Sequence, residues 1–248
     1  MRVANRFPEK ELPIQKRLLG PFEEFGPWLG LLYSIDRVLG SMSSSLRLYV
    51  YEFMAQPIPS KPLLPARHGE HFVMREIPRD DADIARMPPR PALDSRFEQG
   101  AICLGGYFKN EFVGFIWFCF REYKEDEVRY TYVLPPGDEA VFDFDLYIFP
   151  EHRLGFGFVR IWNAANEFLR NRGIKWTFSR VTRFNLPSRR AHAHLGSKRV
   201  GAALCLKAWR VEVTLATIRP HFYLSLGNAR RARFELRVDA EEPHRPRN

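Results

Sequence analysis

Two apolar runs, "AICLGGYF" and "EFVGFIWFCF", flank Lys109-Asn110, and strand-length runs joined by two turn residues predict a β-hairpin with a tight turn. Downstream, "FDFDLYIF" alternates until Pro150 stops it. From Phe158 the apolar positions Ile161, Trp162, Ala165, Phe168 and Leu169 recur at helical spacing, with Arg160, Asn163, Asn166, Glu167 and Arg170 opposite and Gly173 as the stop. "IKWTFSRV" returns to strand alternation, "PSRRAHAHLG" reads as a short helix, and "RVGAALCLKAWRVEV" as strand pattern. A strand, a crossover helix and a second strand predict a parallel pair.

Upstream, Leu18 to Leu39 carry near-helical apolar spacing interrupted by Pro21 and Pro27, which predicts two short amphipathic helices. "LRLYVYEF" is strand-like, and "QPIPSKPLLPAR" reads as an extended connector. "HFVMREI" is a strand candidate, Asp80 and Asp81 are placed to begin a helix, and "ALDSRFEQG" predicts a short helix ended by Gly100. An acidic loop, Glu122 to Glu127, and the turn "LPPGDEA" complete this stretch. The expected organisation is an extension over 1–67, a main domain over 68–225 and a flexible basic tail over 226–248.

Charge changes the picture only at the end of the chain. Residues 181–248 hold 14 Lys/Arg against 5 Asp/Glu, which accounts for the whole formal net charge of +9. Such an end suits an anionic partner or a solvated surface equally. The three cysteines, Cys103, Cys119 and Cys205, stand singly in apolar runs and read as buried free thiols. No apolar stretch is long enough for a membrane span, and the first 17 residues lack a secretory core, so a cytoplasmic protein without a metal is expected.

The candidate chemistry lies between the strand that ends at Pro150 and the helix that follows. Gly155 and Gly157 let backbone N–H groups approach an anion where a helix dipole favours negative charge. The third glycine of a dinucleotide fingerprint and the Gly-Lys-Ser/Thr of a Walker loop are both missing. Alone, the glycine pair serves equally as a tight turn.

The combined segment "LYIFPEHRLGFGFVRIWNAANEFLRNRGIKWTFSRVTRFNLPSRRAHAHLG" resembles the core of the GNAT superfamily of acyl-CoA N-acyltransferases. It matches a V-x-P-E-Y-R strand end, a glycine loop with its helix, a strand, and an N-x-x-S/A…Y-x-x-L-G segment. The resemblance covers roughly residues 72–213. It implies an α/β (α+β) fold, a mixed and mostly antiparallel twisted sheet whose central parallel pair splays to admit acyl-CoA, with flanking helices. It implies acetyl-CoA or another acyl-CoA as cosubstrate and direct attack by an amine. Carried over, Arg153, Leu154, Gly155, Phe156, Gly157 and Phe158 would hold the pyrophosphate. The backbone N–H of Ile148 would face the thioester oxygen, and Asn185 would contact pantetheine or acceptor. The family spacing is Arg-x-x-Gly-x-Gly, so here the loop is one residue shorter or His152 takes the arginine slot. His192 stands where the family commonly has the tyrosine that protonates the departing thiolate.

For proton removal from the acceptor, Asp143 and Asp145 are the candidates, sharing a strand face with Tyr147 if alternation holds. Both aspartates and His192 also suit structural roles, as loop ligands and a packed helix-face ring. The leading function is N-acyl transfer to a small-molecule or macromolecular amine. The alternatives are a GNAT-like module that binds acyl-CoA without turnover, and tRNA-dependent aminoacyl transfer or nucleic-acid binding, supported only by the basic last quarter. The N-terminal helices could pack on the domain, meet a second copy or rest on a membrane surface.

Overall fold

The computed structural model describes residues 14–65, 71–89, 92–153, 156–227 and 230–238. Twelve strands form two sheets: β1 Leu46–Pro57, β2 Phe72–Glu76, β3 Ile102–Phe108, β4 Glu111–Phe120, β5 Glu122–Lys124, β6 Tyr130–Val133, β7 Ala140–Ile148, β8 Trp176–Thr182, β9 Lys198–Ala208, β10 Val211–Ala216, β11 Phe222–Leu226 and β12 Ala232–Glu235. The α-helices are α1 Ile14–Phe25, α2 Pro27–Met42, α3 Leu93–Glu98, α4 Gly157–Arg170 and α5 Leu186–His194. Nine strands build the large sheet in the order β11-β10-β9-β1-β8-β7-β4-β3-β2, and β12-β6-β5 build the small one.

The large sheet is antiparallel throughout except at its centre, where β7 and β8 run parallel around the crossover helix α4. The hairpin expected at Lys109-Asn110 joins β3 and β4. Both residues have positive φ, 50° and 67°, as a two-residue turn matched to the strand twist requires.

Aromatic rings hold the two sheets together. Tyr132 stacks on Phe142 with ring centres 4.7 Å apart, and Phe234 lies 5.2 Å from Phe53. On the opposite face of the large sheet, Ile161, Trp162, Ala165 and Leu169 of α4 pack with Leu104, Ile116, Phe118 and Val141. The alternation of β7 therefore divides two cores, with Phe142 facing the small sheet and Val141 facing α4.

Several sequence expectations change. β1, read as part of an extension, is a central strand between β8 and β9, so a boundary near residue 67 does not separate it from the sheet. The tail read as frayed contributes β12, which pairs parallel with β6 and buries Phe234 and Leu236. α1 runs through Pro21, whereas Gly26 and Pro27 separate it from α2. "RVGAALCLKAWRVEV" is two antiparallel strands, β9 and β10, turning at Trp209-Arg210, and the acidic loop contains β5. Asp80 and Asp81 precede a short 3-10 helix, Ala82–Arg86, which Asp81 caps.

Candidate functional site

The parallel pairing of β7 and β8 is brief. Ala140, Val141 and Phe142 stand opposite Trp176, Thr177 and Phe178, after which β7 continues to Ile148 and β8 to Thr182 without pairing to each other. The sheet thus opens at Asp143 and Ser179, both buried, and the backbone edges beyond them line a gap. Phe149 N–H is bonded to Val113 O on β4. Period-two alternation therefore turns the Ile148 N–H the other way, into the gap.

A β-bulge aims the two aspartates apart. The β4–β7 register slips between Phe115 and Trp117, and Asp145 occupies the left-handed region with φ 49°. Asp143 sits opposite Phe118 on the α4 side. Beyond the slip, Asp145 accepts from Arg96 Nη1 at 2.5 Å, and Arg96 lies over the Trp117 and Phe144 rings on the small-sheet side. Simple alternation had placed both carboxylates and Tyr147 on one face. The inserted residue breaks that alternation and leaves Asp145 with Tyr147 but without Asp143. Asp126 accepts from Arg96 as well, so Asp145 belongs to a three-charge network.

Asp143 is 6% exposed, and its Oδ1 has no partner among the described residues. Burial pushes its carboxyl up to about 7. Gln56 on β1 stands opposite Thr177, and the Asn166 amide of α4 is buried on the same side; the Gln56 and Asn166 amides and Thr177 Oγ1 are also without described partners. The base of the gap is therefore a small polar patch beneath an apolar helix.

α4 starts without a side-chain cap at Phe156, leaving the N–H groups of its first turn for another acceptor. A Cβ on Gly157 would collide with the His152 carbonyl oxygen, so only glycine fits there. Leu154 and Gly155 lie outside the described residues. Arg153 donates from Nε to Ile148 O at 2.9 Å and lies over the Tyr147 ring, and His152 comes within 3.5 Å of Glu111. Phe158 is half-buried against the core beneath α4.

Two cations that the sequence reading assigned no role stand beside this helix start. The Arg160 guanidinium lies 4.3 Å over the Phe108 ring and 5.9 Å from Phe156, and Lys109 Nζ lies 5.7 Å from Phe108. In the sequence, Arg160 was one polar position on an amphipathic helix and Lys109 one turn residue. Only their meeting around Phe108 makes a cluster.

α5 supplies the other wall. Asn185 is its N-cap, with Oδ1 accepting from Ser188 N–H at 3.1 Å, so that oxygen is committed to the helix. His192 packs edge-on to Trp162, ring centres 6.3 Å apart, and its Nδ1 is buried without a described partner. Burial pulls the imidazole down to about 4, so the ring is neutral at pH 7. A neutral ring has no imidazolium proton to give to a departing thiolate, the role the resemblance implies for this position. The three cysteines are buried and free, and burial pushes the Cys119 thiol up to about 11.

The gap thus has open backbone edges, an uncapped helix start with cations at one end, apolar walls, and a polar floor. A cavity of about 390 Å³ lies elsewhere, between Phe120–Glu122 and Val133–Asp138. No family model matches the sequence, and no curated protein matches it. Solved structures are similar at the level of fold. A functionally unknown conserved protein from Staphylococcus epidermidis is 10% identical, with a TM-score of 0.44, over 69% of this chain and 64% of its own. A GCN5-related N-acetyltransferase from Sphaerobacter thermophilus is 13% identical, with a TM-score of 0.41, over 69% of this chain and 55% of its own. AAC(6')-Iy, in complex with the bisubstrate analogue CoA-S-monomethyl-acetylneamine, is 17% identical with a TM-score of 0.37, over 51% of this chain and 90% of its own. The chain therefore spans less than two thirds of the length of the first two. The sheet itself is mixed, with a parallel central pair that separates below a crossover helix, as the sequence resemblance implied.

Proposed function

We propose that this chain is an acyl-CoA-dependent N-acyltransferase, with acetyl the simplest acyl group and an amine as acceptor. The observation that carries the reading is the separation of β7 from β8 after Phe142 and Phe178, next to an uncapped helix start flanked by Arg153, Arg160 and Lys109. A nucleotide pyrophosphate needs backbone N–H donors and cations at one end. A pantetheine arm needs an open strand edge, and an acyl group needs apolar walls.

Acyl-CoA supplies the activated thioester carbonyl. The residues of this chain bind and orient it: the first-turn N–H groups of α4 from Gly157 receive the phosphate charge, and the Ile148 N–H is turned toward an oxygen in the gap. Asp143, with its carboxyl near 7, accepts the proton of an ammonium acceptor directly or through water. His192 stays neutral and offers an N–H to the departing sulfur without giving up its proton. Asp145, held by Arg96, positions β7 through the bulge and is not the base. The three reduced thiols accord with a cytoplasmic setting, which we adopt as part of the proposal.

The Arg96–Asp145 ion pair, which takes one carboxylate out of the chemistry, favours one second reading, a module that binds acyl-CoA without turnover. The two readings separate in one assay: stoichiometric acyl-CoA binding with coenzyme A thiol release over a screen of amines supports the enzyme, and binding without release supports the module. The nucleic-acid reading rests only on the basic last quarter, part of which is paired internally. Arg183, Arg189 and Arg199 surround Glu52, and Lys207 meets Glu212.

A further inference from the structure

The outer end of the large sheet is inside out. On β9, β10 and β11 the side chains facing the small sheet include Glu212, Thr214 and Ser225, all buried to within 2%. They find partners there: Arg129 N–H donates to Glu212 Oε2 at 2.7 Å, Arg129 and Lys207 approach Glu212 Oε1 at 3.7 and 3.6 Å, and Thr214 Oγ1 bonds the Tyr130 hydroxyl at 2.9 Å. The opposite face carries Leu206, Val211, Leu215, Phe222, Leu224 and Leu226, brought side by side by the strand register. These six stand in water, with Leu226 66% and Phe222 59% exposed. Among the described residues no charged side chain interrupts them on that face.

The apolar surface continues onto α2. Leu206 stands opposite Leu48 of β1, and α2 is tied to β1 there by Leu48 N–H donating to Asp36 Oδ1 at 2.9 Å. The outer side of α2 presents Trp28, Leu31, Ile35, Val38 and Met42, spaced alternately three and four residues apart, with Trp28 80% and Met42 72% exposed. That spacing is the seam by which helices pack on one another. Strand face and helix stripe together expose on the order of 1,000 Å² of apolar side chain. That exceeds the few hundred Å² usual for the largest patch of a soluble monomer, and it matches the roughly 800 Å² each partner contributes to a standard interface.

We propose that this face is where a second copy of the same chain docks, across a two-fold axis. An isologous contact sets the same patch of the two copies face to face, so a patch of one net charge would meet that same charge. In a chain of net charge +9, an uncharged apolar face is the surface on which self-association escapes that repulsion. A bilayer-docking face would instead interleave Lys and Arg with the apolar positions, and the strand face has none. The proposal is independent of the chemistry in the β7–β8 gap.

Sedimentation velocity on the full chain over a range of concentrations tests it, alongside the double variant Leu215→Glu/Leu224→Glu and, separately, Val38→Glu. The substituted positions are exposed, so the variants keep the wild-type circular dichroism and a cooperative melt. The expected result is a wild-type dimer and on the order of a hundredfold weaker association in the variants. A wild type that stays monomeric at its highest soluble concentration overturns the proposal, as does a dimer that the Glu variants leave intact. A monomer that co-sediments with anionic phospholipid vesicles overturns it in favour of a membrane surface.

Discussion

Asp143 and His192 lose their ordinary charge for the same reason. Burial penalises an ionised carboxylate and an imidazolium alike, so one group rises to about 7 and the other falls to about 4. The consequences for stability have opposite pH directions. The unfolded chain ionises Asp143 near 3.9 while the fold resists until about 7, so Asp143 increasingly costs stability as pH rises through that window. Asp143→Asn is therefore expected to stabilise the protein by about 3 kcal/mol more at pH 8 than at pH 5, measured by urea unfolding. Equal gains at both values would mean the carboxyl is solvated. For His192 the unfolded ring protonates near 6.5 and the folded ring only near 4, so stability falls on acidification between those values. Replacing His192 by Phe should remove about 2 kcal/mol of the loss between pH 7 and pH 5, a difference visible in the same unfolding series. In catalysis, Asp143 as base gives a kcat/KM that rises with pH to a midpoint near 7 and flattens in the Asn variant. A midpoint unchanged by that substitution would remove Asp143 from the mechanism.

Elements whose hydrophobic period is long and clean were legible in the sequence. The β3–β4 hairpin, helix α4 and the parallel crossover all follow from runs whose apolar positions name their own face. β6, β11 and β12 were not legible, because each has only four or five residues, and β12 finds its partner β6 far along the chain. The Asp145 bulge was hidden too, since a strand's own alternation carries no record of a slip that exists only in its ladder with β4. Two substitutions test the elements. Phe234→Ala should cost about 3–5 kcal/mol, because the ring is fully buried between Tyr130 and Phe53, and a loss under 1 kcal/mol would return β12 to the status of a loose tail. Gly157→Ala should cost roughly 1–3 kcal/mol by driving a methyl into the His152 carbonyl, and a neutral effect in thermal unfolding would show that this turn can relax.

On the scale of the whole molecule, the candidate site was half legible. The glycine-to-helix junction and the strand order predicted where an anion and a thioester could lie. The cations that complete the junction come from β3–β4 and from the flank of α4, and they converge only on folding. The central claim is that the β7–β8 gap holds acyl-CoA, and isothermal titration of the full chain with acetyl-CoA tests it most directly, with Arg160→Glu as the control. The account predicts saturable one-to-one binding that raises the melting temperature, about 2.7 kcal/mol of stabilisation at a hundredfold excess over Kd, and at least tenfold weaker binding in the Glu variant, which reverses charge beside the helix start. An absence of heat and of thermal shift with acetyl-CoA and with longer acyl-CoAs, or equal affinity in wild type and variant, would contradict it.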